Sequence, residues 1–275
     1  MKLNCDLGES FGSWTMGLDE QAMPHIDQAN IACGFHAGDP LTMQKTLLLA
    51  KKHQVSIGAH PSYPDLVGFG RRSLNCTHDE IIAFMLYQLA AIDGMSRANQ
   101  IELTYVKPHG ALYNDMMSNK GVRLAILQAV SQFNLGQKAI NKPALKLMLQ
   151  ATPELEQHKK EAAEVHIDVI AEAFADRCYD DSGRLLSRNT LGAVHNKTKM
   201  LAQVNQLCKQ GSITTITGKV LALEVDSICV HGDNIEGVEA IAEIRTLINT
   251  LTNNSINTST NNSINTSINK ADKNK

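Results

Sequence analysis

Seven short apolar or β-branched runs recur along the chain, at residues 3–5, 29–33, 55–57, 103–106, 144–149, 165–170 and 227–230. They read as continuous apolar segments, so as strands they need cover on both faces, which is the mark of a parallel sheet. Helical segments with readable starts separate most of them. Asp39 is a candidate N-cap with Pro40 at the first helical position and residues 41–53 following. Thr77-His78-Asp79-Glu80 has capping-box spacing ahead of residues 81–91. Residues 196–209 are amphipathic and run into Gly211, a C-terminal stop. Seven strand-then-helix units within residues 1–250 predict an α/β fold, an irregular (β/α) barrel of about seven parallel strands, in preference to a doubly wound sheet.

No break in composition divides residues 1–250, which are expected to form a single catalytic barrel domain. Residues 251–275 differ: "NNSINTS" occurs at 253–259 and again at 261–267. A segment so poor in apolar surface cannot offset its ordering entropy, so a disordered tail is expected there. The formal charge of −2, from 26 basic and 28 acidic residues, gives no electrostatic case for nucleic acid or an anionic membrane. No apolar run approaches the ~20 residues that span a bilayer. The six cysteines are dispersed without a CxxC pair, and the first strand candidate begins at Lys2, leaving no room for a signal peptide. A cytoplasmic protein with small buried thiols is the expectation.

The residues just after each run carry chemistry. The first leads to Asp6 and Glu9, the second to His36 and Asp39, the third to His60, and the fourth to Lys107 and His109. The sixth ends in Glu172, Asp176 and Arg177, and the seventh in His231 and Asp233. In a β/α barrel all the carboxyl ends of the strands open on one face. A lone histidine at a strand end is more often structural, and Asp39 alone reads as a helix cap. Repetition over six strand ends shifts the reading to a catalytic mouth. "GFHAG" and "GFGRRS" allow close backbone approach to a ligand, and Arg71-Arg72 adds fixed charge suited to phosphate or carboxylate. There is no GxxxxGK[ST] sequence and no GxGxxG after a strand, so a nucleotide would bind without either motif.

The motifs "LNCDLGESFGSWTMG", "ANIACGFHAGDP", "IGAHPSYPDLVGFGRR", "VKPHGALYN", "AEAFADRCY" and "DSICVHGD", in this order from residue 3 to residue 233, resemble the LamB/YcsF family. The stretch 115–164 carries little of that signal, and Gln150-Ala151-Thr152 stands where a glycine- and serine-rich strand end would be expected. The resemblance implies a barrel like that of the glycoside hydrolase/deacetylase superfamily, with fewer than eight strands. It also implies ATP-dependent hydrolysis of the lactam 5-oxo-L-proline (pyroglutamate) to L-glutamate, with ADP and phosphate released and Mg²⁺ accompanying ATP. Members work as one component of a 5-oxoprolinase beside subunits B and C.

On that reading the catalytic candidates are Asp6, Glu9, His36, His60, Lys107 and His109, with His109 or His36 as base and acid. Candidates for substrate or phosphate binding are Asn30, Asp39, Arg71, Arg72, Glu172, Asp176, Arg177, His231 and Asp233. Asp6, His60 and His109 have the ligand types for a divalent ion, a role ranked below acid–base work. Two rivals stand. One is a metal-dependent deacetylase or amidohydrolase needing no ATP. The other is a substrate-binding component inactive on its own, docked through an exposed apolar face such as "IIAFMLYQLAA" at 81–91, which a buried barrel helix explains as well.

Overall fold

The computed structural model describes residues 1–232 and 235–252; Asp233 and the repeat tail from residue 253 lie outside the described residues. Nine strands are found among the described residues: β1 (Lys2–Leu7), β2 (Gln28–Ala32), β3 (Ser56–His60), β4 (Leu103–Val106), β5 (Lys146–Gln150), β6 (Val169–Phe174), β7 (Ser212–Thr214), β8 (Val220–Ala222) and β9 (Ser227–His231). β1 to β6 and β9 close into a parallel barrel in the order β1-β2-β3-β4-β5-β6-β9, while β7 and β8 form a separate antiparallel hairpin. All seven expected runs are barrel strands. The sixth is displaced, beginning at Val169, because His166 turns the chain through a left-handed conformation at φ 60°.

The helices lie between strands as parallel crossovers require. They include α1 (Asp19–Ala22), α2 (Pro40–His53), α3 (His78–Ala98), α4 (Gly110–Ser118), α5 (Lys120–Ala139), α6 (Leu155–Ala163) and α7 (Lys197–Gln210); residues 235–252 are helical too. The expected starts hold. Asp39 caps α2 by accepting from the Leu41 and Thr42 amides, and Thr77 with Glu80 forms a reciprocal capping box on α3. α7 is capped by Asn196 and ends at Gly211 in the left-handed conformation. On α3, Ile81, Met85, Leu89 and Ile92 are buried at helical spacing, whereas Tyr87 is 65% exposed. One face of α3 therefore belongs to the core, and no helix among the described residues is long and apolar enough to cross a membrane.

The strands are buried on both faces, but the two faces differ in kind. Leu3, Cys5 and Leu7 alternate with Asn4 and Asp6, so the apolar set packs under the helices and the polar set shares the barrel interior. Register aligns Asp6 with both Asn30 and His231, and Asn30 with Gly58. The interior is a hydrogen-bonded lattice. Ser227 Oγ donates to Gln28 (2.8 Å) and accepts from Asn4 (2.8 Å), Asn30 donates to Asn4 (2.8 Å), and Tyr105 donates to Asn30 (2.6 Å). Gly58 makes room for this: a Cβ there would stand 2.2 Å from the Tyr105 ring. Buried polar groups are tolerated only when paired like this.

Candidate active site

At the upper end of the lattice Lys107 Nζ lies 2.8 Å from Asp6 Oδ1, 2.8 Å from Glu172 Oε1 and 3.1 Å from Cys229 Sγ. Burial favours the neutral amine, yet the carboxylates of Asp6 and Glu172 outweigh it and hold the Lys107 pKa well above its ordinary value. Burial likewise works against the Asp6 carboxylate, but Lys107 and His60 hold it well below the usual range. Asn30 donates to Asp6 (2.7 Å), and Tyr113 donates to Glu172 (2.8 Å). Burial pushes the Cys229 thiol well up, so it remains a neutral group beside the ammonium.

A second cluster stands beside this one, built from the ends of β1 to β4. The His36 and His109 rings stack at 3.7 Å, within 4° of parallel. His60 Nε2 is 2.9 Å from His109 Nδ1, and Glu9 Oε1 is 3.5 Å from His36 Nε2 and 3.6 Å from His109 Nδ1. Burial, with neighbouring imidazoles, pushes both His36 and His109 well below the ordinary histidine value. The loop from Asp65 to Arg72 presses onto these rings. Gly70, at φ +64°, has no space for a side chain, since a Cβ would lie 2.8 Å from both His109 Cδ2 and His36 Cβ.

The third element is the irregular segment after β6. Asp176 is fully buried with both oxygens 3.0 Å from His231 Nδ1. Burial would raise its pKa, but His231, Arg188 and Arg177 lower it to about 2. The segment is tied by bridges from Arg177 to Val194 and from Tyr179 to Leu185, and Gln150 at the end of β5 donates to its Gly183 carbonyl (2.8 Å). It carries Arg177, Arg184 and Arg188 to the wall of a cavity of about 450 Å³, where they meet Arg71, Lys107 and His231.

Thus Asp6, Arg71, Lys107, His109, Arg177 and His231 line one cavity, with Glu172, Asp176 and Asn30 directly behind them. Two candidates sit elsewhere. Asp39 is occupied as the α2 cap and by the Gly12 amide (2.8 Å). Arg72 is held by Asp65 (Nε to Oδ1, 3.0 Å), with its side chain 63% exposed. Neither lines the cavity. Sequence reasoning misses Arg184, Arg188 and Tyr113, although three arginines within residues 177–188 are a usable sign.

Among the described residues, two sets of side chains have metal-ligand chemistry: Glu9, His36, His60 and His109, and Asp6, Cys229 and His231. In the second set Asp6 and Cys229 already face the Lys107 ammonium, which takes the place a cation would want.

Residues 1–264 match the model of the LamB/YcsF family. The chain belongs to that family. A Vibrio campbellii protein named as the A subunit of 5-oxoprolinase is 47% identical over 251 residues, 91% of this chain and 96% of that one. Its Pseudomonas fluorescens namesake is 48% identical over 248 residues, 90% and 96% of the two chains. The crystal structure of the lactam utilization protein from Thermus thermophilus is 34% identical and superposes with a TM-score of 0.79, covering 89% of this chain and 95% of that one. This member of the LamB/YcsF family therefore presents a closed seven-stranded barrel whose strand ends bear a cation-lined cavity.

Proposed function

We propose that this chain hydrolyses 5-oxo-L-proline to L-glutamate in an ATP-dependent reaction, in the cytoplasm, as the A subunit of a 5-oxoprolinase containing subunits B and C. The observation that carries the reading is the cavity: a buried lysine between two carboxylates, ringed by four arginines and a histidine–aspartate pair. The naming of relatives near 47% identity supports the substrate.

A five-membered lactam is an unreactive amide, and its carbonyl oxygen is a poor leaving group. Transfer of a phosphoryl group to that oxygen makes the carbon electrophilic. Water adds there, the ring nitrogen leaves with a proton, and the resulting acyl phosphate hydrolyses to glutamate and phosphate. Such a sequence needs a cationic clamp, a base for water and an acid for nitrogen. Lys107, Arg71, Arg177 and Arg188 supply the clamp for substrate carboxylate and phosphoryl oxygens. A carboxylate only accepts, so Asp176 keeps a proton on His231 Nδ1 and leaves Nε2 as the base. The proton that His231 Nε2 takes from water passes from the same nitrogen to the departing ring nitrogen. Mg²⁺ would arrive with ATP, because Asp6 and Glu172 are both committed to Lys107 and imidazole is a poor magnesium ligand.

The imidazole cluster favours one second reading, a metal-dependent amidohydrolase that needs no nucleotide. One assay separates the two: glutamate release from 5-oxoproline by the purified chain, alone and with subunits B and C, with and without ATP and Mg²⁺. ATP-dependent release requiring the partners is expected. Release by the chain alone without ATP would replace the proposal with the second reading.

A further inference from the structure

We propose that Glu9, His36, His60 and His109 bind one divalent transition-metal ion, of the zinc or cobalt class, in the wall of the cavity. Proton positions give the first reason. Carbonyl oxygens accept and never donate, so His60 Nδ1 donates to the Lys107 carbonyl (2.7 Å) and His109 Nε2 to the Phe69 carbonyl (2.9 Å). In a neutral imidazole the other nitrogen then carries a lone pair. His60 Nε2 and His109 Nδ1 are those nitrogens, and they face each other at 2.9 Å. Two lone pairs at that distance repel unless a cation is held by both.

Three observations favour a metal ion over a shared proton. His36, only 1% exposed, has neither ring nitrogen in a hydrogen bond, although its Nε2 is turned towards Glu9 at 3.5 Å. A proton between His60 and His109 would leave that ring unexplained, whereas an ion uses it. The spacing also fits. Donors about 2.0–2.1 Å from an ion lie roughly 2.9 Å apart at right angles and about 3.4 Å apart at tetrahedral angles. The contacts here are 2.9, 3.5 and 3.6 Å, and all four ligand atoms lie within 4.8 Å of one another, so that the His36 ring has only to turn out of its stack on His109 for its in-plane lone pair to meet the ion. Finally, two of the imidazoles donate their outer N–H to backbone carbonyls, which is how proteins aim ligand histidines. Three imidazoles and one carboxylate suit a transition ion and not Mg²⁺ or Ca²⁺. The ligands come from four successive strand ends, so the ion would pin the loops after β1 to β4, and through His109 it would touch the cavity.

This ion site does not depend on the oxoprolinase reading, and its test needs no turnover. The full chain is stripped with a chelator and reloaded separately with Zn²⁺, Co²⁺ and Mg²⁺; metal content is then measured after desalting, with the visible spectrum of the Co²⁺ form and the melting temperature. About one equivalent of Zn²⁺ or Co²⁺, none of Mg²⁺, and a higher melting temperature are expected. Glu9→Gln and His36→Gln should weaken affinity by at least about 100-fold, while His78→Ala, on the exposed first turn of α3, should leave it unchanged. His36 makes no hydrogen bond, so its variant is expected to fold, which circular dichroism checks. Wild-type protein that binds no stoichiometric ion, with nitrogen NMR showing a proton shared by His60 and His109, would overturn the proposal. So would binding that survives both ligand substitutions.

Discussion

Lys107 Nζ and Asp6 Oδ1 lie 2.8 Å apart, with side chains only 3% and 5% exposed, so neither charge is screened by bulk water. Glu172 completes the set at 2.8 Å from the same ammonium. Removing the shared cation leaves two buried carboxylates facing each other. Lys107→Met should therefore abolish activity and cost about 3–5 kcal/mol of stability, measured by urea unfolding at neutral pH. A variant as stable as wild type would mean the carboxylates take up protons at little cost.

Asp176 makes stability depend on acidity in a defined window. Its folded-state pKa of about 2 lies below the ordinary carboxylate value of 3.8, so the ionised form is the one folding favours. The contribution is present in full above the unfolded pKa and disappears as pH falls from about 4 to 2. The gap is worth roughly 2 kcal/mol. Asp176→Asn should therefore be less stable than wild type at pH 6 and nearly equal to it at pH 2. Paired acid-unfolding curves test this, and a constant gap across the range would contradict it.

Arg188 and Arg177 approach Asp176 from the cavity side, and Arg188 is the one on the irregular segment farthest from β6. Arg188→Ala should raise KM for an anionic substrate by roughly tenfold or more with a smaller change in kcat. Arg188→Lys should recover only part, because a lysine cannot grip a carboxylate or phosphate with two parallel bonds. Steady-state kinetics of the assembled enzyme distinguish this from a fall in kcat alone.

Asp39 offers the opposite expectation. Its place in "GFHAGDP" makes it a candidate for the site, but its oxygens serve the Gly12, Leu41 and Thr42 amides. Asp39→Ala should cost about 1 kcal/mol of stability and leave kcat/KM close to wild type. A large kinetic defect with an unchanged melting temperature would return Asp39 to the site.

The barrel is readable in the sequence because each strand must bury both faces, and that need leaves an apolar signature whatever the rest of the chain does. The strand ends are readable for a related reason: parallel winding gathers all of them at one mouth, so Asp6, His36, His60, Lys107, His109 and His231 can be grouped before any contact is known. Pairing is not readable. Nothing local tells that Asp176 belongs to His231, 55 positions away, or that the His36 ring lies flat on His109. Arg184 and Arg188 escape because their segment has no periodicity, being held by isolated bridges and by Gln150. Strand β1 shows a subtler limit. Its run at residues 3–5 already holds Asn4, but that Asn4 and Asp6 turn to the barrel interior while Leu3 and Cys5 turn to the helices is seen only in the fold.

That inner environment decides how freely this protein can change over evolutionary time. The outer surface of the barrel strands meets helices through side chains of interchangeable shape, where one aliphatic residue can replace another at a cost usually below about 1.5 kcal/mol. The interior from Gln28 and Ser227 through Asn4 and Asn30 to Asp6 and Lys107 is joined by directional bonds, each partner of which is fixed by the next. A replacement at Ser227, at the far end, disturbs Asn4, and Asn4 touches the residues that hold Asp6. The floor of the barrel and its mouth are thus bound to vary together, and drift in this fold is channelled to its outside.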